Sequence, residues 1–109
     1  MKERFQKEID TLMNEFDFGG VNYAMNALNW NWVNENEAIP RVPTLDEIKK
    51  RAKEILQEAA EKAVLTKDEF VISTGGFRAE AKYYPKEGIK KSFLWVRLAF
   101  VLQDWDNCE

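Results

Sequence analysis

The sequence has no histidine and one cysteine, Cys108, among its 109 residues. Without an imidazole, Ser-His-Asp triads and Cys-His dyads are excluded. A lone thiol closes no internal bridge, so zinc fingers and disulfide frameworks go with them. Charge of one sign is missing too. Sixteen Lys and Arg against nineteen Asp and Glu leave a net charge of −3, too balanced for an electrostatic DNA clamp and too mild for a disordered acidic tail. Long apolar runs are absent. The longest, Phe93 to Leu102, is about ten residues and contains Arg97, against the roughly 20 residues of a membrane-spanning helix. Residues 1–10 alternate charged and apolar side chains and carry no signal-peptide pattern. These absences predict a soluble, cytoplasmic, non-catalytic protein that needs no cofactor and no metal.

What is present is 45% apolar and 13% aromatic content in 109 residues, enough for one core and too little for two domains. Phe5, Ile9, Leu12, Met13 and Phe16 fall on one stripe and predict a helix over 2–17. Gly19 and Gly20 are read as its interruption, and Val21, Ala24, Met25 and Leu28 as a shorter helix over 21–28. Residues 29–43, with clustered asparagines, Trp30, Trp32, Pro40 and Pro43, read as a loop with a short extended piece. Thr44 and Glu47 match a capping box. The stripe from Leu45 through Ile48, Ala52, Ile55, Leu56, Ala59, Ala60 and Ala63 then predicts a long amphipathic helix over 44–65.

After Lys67 the period changes to two, giving strands over 69–74, 77–84 and 92–103. Gly75-Gly76 reads as a two-residue hairpin turn, which fixes Thr74 opposite Phe77, Ile72 opposite Ala79 and Phe70 opposite Ala81. Pro85 to Ile89 is a second, looser turn. The predicted fold is a single α+β domain over 1–109, its helices packed on one face of a C-terminal three-stranded antiparallel meander.

The last strand carries the functional signal. Leu94, Val96, Leu98, Phe100 and Leu102 make its core face. The opposite face, Phe93, Trp95, Arg97, Ala99 and Val101, is too apolar for water. Its expected cover is the Trp30–Val33 segment, a second copy of the chain, or a partner or ligand.

Other chemistry reads as ordinary structure. The carboxylates sit mostly on helix exteriors beside lysines, and Asp104 and Asp106 have too few oxygens between them for a hard cation. Gly75-Gly76 lacks the lysine and helix of a phosphate loop. Lys49-Lys50-Arg51-Ala52-Lys53 is flanked by acids and reads as a solvated helix face, so direct DNA binding is not expected. One set stands apart. Arg78, Lys82 and Arg97 with Trp32, Trp95, Tyr83 and Tyr84 have the residue types that hold a nucleotide through phosphate contacts and base stacking.

The runs Ala-Leu-Asn-Trp-Asn-Trp (27–32), Val-Pro-Thr-Leu-Asp-Glu-Ile (42–48), Ser-Thr-Gly-Gly-Phe (73–77) and Leu-Ala-Phe-Val-Leu-Gln-Asp-Trp (98–105) resemble small accessory proteins of bacteriophages and prophages. The resemblance covers roughly residues 21–105. It implies action against host defences inside a bacterial cell and transfers no catalytic residues. The expected function is therefore occlusion of a host protein, such as a CRISPR effector, through aromatic and acidic surface. Trp30, Trp32, Trp95 and Trp105 are the expected anchors, because aromatic side chains dominate interface hot spots. Two alternatives are an oligomer that sequesters a nucleotide signal with Arg78, Lys82 and Arg97, and a phage structural or accessory protein. Self-association through the sheet face is one of the alternatives left open for its cover.

Overall fold

The computed structural model describes residues 3–28, 41–74 and 76–101. It contains helices α1 (Glu3–Glu15), α2 (Phe18–Ala27) and α3 (Leu45–Thr66), followed by strands β1 (Glu69–Thr74), β2 (Phe77–Tyr84) and β3 (Phe93–Phe100). The strands form one antiparallel sheet in the order β1-β2-β3, so the chain is α+β as its periodicities predict.

The first break falls earlier than the glycines suggest. The chain turns at Phe16 and Asp17, and Gly19 and Gly20 lie inside the first turn of α2, which starts at Phe18 instead of residue 21. The cause is Asp17, whose carboxylate accepts a hydrogen bond from the Gly20 N–H at 2.9 Å and caps the new helix. A Cβ at Gly20 would overlap that carboxylate. The glycine therefore makes room for a cap rather than ending a helix. Its neighbour Phe18 is buried, with its ring centroid 4.8 Å from that of Phe16 and 6.3 Å from that of Phe77.

The capping box of α3 is formed as expected. Thr44 Oγ1 accepts from the Glu47 N–H at 3.2 Å, and Glu47 Oε1 accepts from the Thr44 N–H at 2.8 Å. At the other end Lys67 adopts the left-handed conformation, φ 58°, and its N–H closes on the Ala63 carbonyl. This reversal sends the chain into β1 within two residues.

Packing follows the alanines. Ala52, Ala59, Ala60 and Ala63 of α3 and Ala79 and Ala81 of β2 are all fully buried, and α3 lies over β2 and β1. Small side chains on both surfaces let helix and strand approach closely. Helix α1 covers β3. Its Phe5 meets Tyr83 edge-on at 5.8 Å between centroids, and its Phe16 meets Phe77 at 6.2 Å. Because Tyr83 pairs with Leu94 and Phe77 with Phe100, α1 and β3 run in the same direction.

The first hairpin has the expected register, with Thr74 opposite Phe77, Ile72 opposite Ala79 and Phe70 opposite Ala81. Gly76 supplies the positive φ, 87°. The second connection is tighter at its tip than the sequence suggests. Glu87 and Lys90 exchange backbone hydrogen bonds of 3.2 and 2.9 Å around Gly88, whose φ is 59°. Strand β3 ends at Phe100. The Val101 N–H still donates to the Gly76 carbonyl at 2.8 Å, and Val101 is buried, which removes it from the exposed face where alternation placed it. Residues 102 and 103, assigned to this strand by pattern, lie outside the described residues.

Candidate functional site

The register of β2 with β3 decides which side chains share the face turned away from the helices. Arg78 pairs with Ala99, Glu80 with Arg97, Lys82 with Trp95 and Tyr84 with Phe93. Across β2, Glu69 lies opposite Lys82, Val71 opposite Glu80 and Ser73 opposite Arg78. All these side chains therefore stand on the open face, and the core face holds Phe77, Ala79, Ala81, Leu94 and Leu98. Arg78, Lys82 and Arg97 share this face, with the two arginines gathered at Glu80 and Lys82 apart from them beside Tyr84. Tyr83 does not join them: it faces the core, where it meets Phe5.

At the centre of this face Glu80 organises the arginines. Its Oε2 accepts from Arg78 Nε at 2.8 Å and lies 3.7 Å from a terminal nitrogen of Arg97. Only 13% of the Glu80 side chain is exposed, against 51% and 58% for the two arginines. The carboxylate neutralises part of the charge that a phosphate would need. Lys82 takes a different partner and sits 5.3 Å from the centroid of the Tyr84 ring.

Beside the charged centre lies an aromatic corner. Phe93 is 52% exposed, Tyr84 46% and Trp95 39%, with the Tyr84 and Phe93 rings 5.9 Å apart. Tyr84, Pro85, Glu87, Lys90, Lys91, Phe93 and Trp95 line a cleft of about 390 Å³ against the second turn. The lysines of that turn gave no pattern in the sequence, where Pro85 to Ile89 reads as a looser turn; Gly88 and the Glu87–Lys90 backbone pair fold it back on the strands.

This face is aromatic and cationic. Six of the sixteen cations, Arg78, Lys82, Lys86, Lys90, Lys91 and Arg97, lie on it or in the adjoining turn, with only Glu69, Glu80 and Glu87 among the acids. The rest of the chain keeps ten cations against sixteen acids. Of the expected anchors, Trp95 stands on this face. Trp30, Trp32 and Trp105 lie outside the described residues, as do the Trp30–Val33 segment expected to cover the face and the Asp104–Asp106 pair.

A second depression of about 450 Å³ runs between α1 and the free edge of β3, lined by Lys7, Glu8, Thr11, Leu12, Glu15 and Phe93 to Val96. Among the described residues no group of three or more His, Cys, Asp and Glu is placed to hold a metal ion. No described helix is long and apolar enough to cross a membrane. Compared with family models, curated proteins and solved structures, the chain has no match in any of the three.

Proposed function

We propose that this chain is a non-catalytic binding protein that docks an acidic protein surface on the open face of its sheet. The observation that carries the reading is the exposed Tyr84–Phe93–Trp95 corner set within the cationic part of an otherwise acidic chain. Aromatic rings supply contact area at low entropic cost, and Arg78, Lys82, Arg97 and the turn lysines select the sign of the partner. Face-to-face pairing of two copies would oppose like charges, so charge complementarity favours a different protein. Together with the resemblance to phage accessory proteins, this makes a host defence component the preferred target, inhibited by occlusion. The contacted region of that target is acidic. It is therefore not a nucleic-acid channel, which must be basic to hold phosphate.

Zero-length carbodiimide coupling tests the contact, because it joins lysine amines only to carboxylates they touch. After capture from bacterial lysate, coupling is expected between the partner's Asp or Glu side chains and Lys82, Lys90 or Lys91. Capture should fall at least tenfold in Trp95→Ala and Phe93→Ala, with unchanged circular dichroism. Undiminished capture by both variants, with coupling elsewhere, would refute the face.

A second reading, sequestration of a nucleotide, is favoured by the 390 Å³ cleft alone, where Lys90 and Lys91 stand beside Tyr84, Phe93 and Trp95. Saturable tryptophan quenching by mono- or cyclic nucleotides, lost in Lys90→Ala and Lys91→Ala, would put that reading in place of the first.

A further inference from the structure

The backbone of β3 has a free edge. Tyr83 N–H donates to the Asp68 carbonyl and Val101 N–H to the Gly76 carbonyl. With the uninterrupted registers, these bonds direct residues 77, 79, 81 and 83 of β2 toward β1, and residues 78, 80, 82 and 84 toward β3. In β3, residues 93, 95, 97 and 99 therefore bond β2, and the amides and carbonyls of Leu94, Val96 and Leu98 point outward, with no strand beside them among the described residues. β3 has no proline, no lysine and no bulge, and its single charge, Arg97, stands on the open face of the sheet.

Beside this edge runs the α1 groove, and its wall holds a second irregularity. Glu8 Oε1 is buried without a hydrogen-bond donor. A buried acceptor left unpaired is costly, and a cationic donor entering the groove would satisfy it. Glu15 on the same wall adds a second negative charge, against Lys7 alone.

We propose that this edge accepts an extended segment of a partner protein, added to the sheet as a fourth strand, with a lysine or arginine reaching Glu8. Spacing rejects a second copy as the occupant. Strands added across a ladder lie about 4.8 Å apart, whereas packed helices need about 8–10 Å between axes. Because α1 covers β3, strand-to-strand pairing of two copies would drive their α1 helices into one another. A bare strand brings no helix. The inference does not rest on the open-face reading, since the edge groups are backbone and the charge preference is opposite.

The test uses a hexapeptide of alternating valine and lysine, which the cationic face repels, and the same peptide N-methylated at alternate residues. In the free protein, the Val96 and Leu98 amides should exchange rapidly with solvent. The unmodified peptide should slow their exchange at least tenfold and shift the Leu94, Val96 and Leu98 amide resonances, and the methylated one should do neither. Val96→Pro removes an outward N–H without touching the β2 ladder and should abolish the effect. If that variant fails to fold, Glu8→Gln serves instead and should weaken peptide binding about tenfold, as expected for losing one charge-assisted hydrogen bond. Amides already protected in the dilute free protein, protection that grows with protein concentration alone, or equal effects of the two peptides would each overturn the proposal.

Discussion

Arg41 lies three residues before the α3 cap and belongs to no helix, yet it sets the charge state of the helix entrance. Its guanidinium donates to both Glu47 oxygens, at 2.7 and 2.5 Å, while Thr44 N–H donates to Oε1. The Arg41 bonds first, and the Thr44 N–H after them, hold the Glu47 carboxyl down from the ordinary 4.5 to about 2. The folded value lies below the unfolded one, so the unfolded chain binds the proton more readily. The stabilisation is then complete above about pH 4.5 and disappears as pH falls toward about 2. Thermal midpoints of the native chain and Glu47→Gln should differ by a constant amount at neutral pH and converge across that acid window. A gap unchanged down to pH 2 would contradict the assignment. The Thr44–Glu47 pair was readable from spacing because a capping box is local. Arg41 was not, because a bidentate partner six residues away from Glu47 has no fixed sequence offset. The same holds for Asp17: its role depends on a cap geometry that glycine neighbours permit but do not announce.

At the level of helices and strands, the legible parts were those with a period or an obligatory turn. The α3 stripe, and the first hairpin pinned by Gly75-Gly76, were both available from pattern. The β2–β3 register was not, since Pro85 to Ile89 reads as a looser turn, whereas Gly88-Ile89 is a two-residue turn that sets Glu87 opposite Lys90 in line with Tyr84 opposite Phe93. It is this register that brings Glu80 between Arg78 and Arg97, so the composition of the candidate face was hidden while its residue types were visible. The alanines of α3 and β2 show the other limit. A stripe of small residues predicts burial but not the short helix-to-strand separation that Ala79 and Ala81 share with Ala52, Ala59, Ala60 and Ala63. Ala79→Leu should force that layer apart and cost about 1–3 kcal/mol. A melting point lowered by roughly 4–8 °C per kcal/mol in a domain of this size would register it. An unchanged midpoint would mean that the space above β2 is not close-packed.

Across the whole molecule the notable quantity is the separation of charge. A net charge of −3 conceals a cationic sheet face and an acidic remainder, which single-sequence composition cannot reveal because it averages over both. Such a distribution orients the protein before contact and raises the association rate with an acidic partner. Raising salt from 50 to 500 mM should therefore slow association with the captured partner about tenfold or more while changing dissociation much less. Equal sensitivity of the two rates would place the charges away from the encounter surface.

The docking of α1 on β3 joins the first of the described helices to the last of the described strands. During synthesis, at about 5–20 residues per second, α1 leaves the ribosome with Phe5 and Ile9 uncovered, and its binding surface does not yet exist. The long helix and the first hairpin can assemble from neighbours in the chain. The amino-terminal segment must wait for translation of the final described strand, so an unfinished polypeptide shows greasy surface to chaperones and proteases throughout that interval.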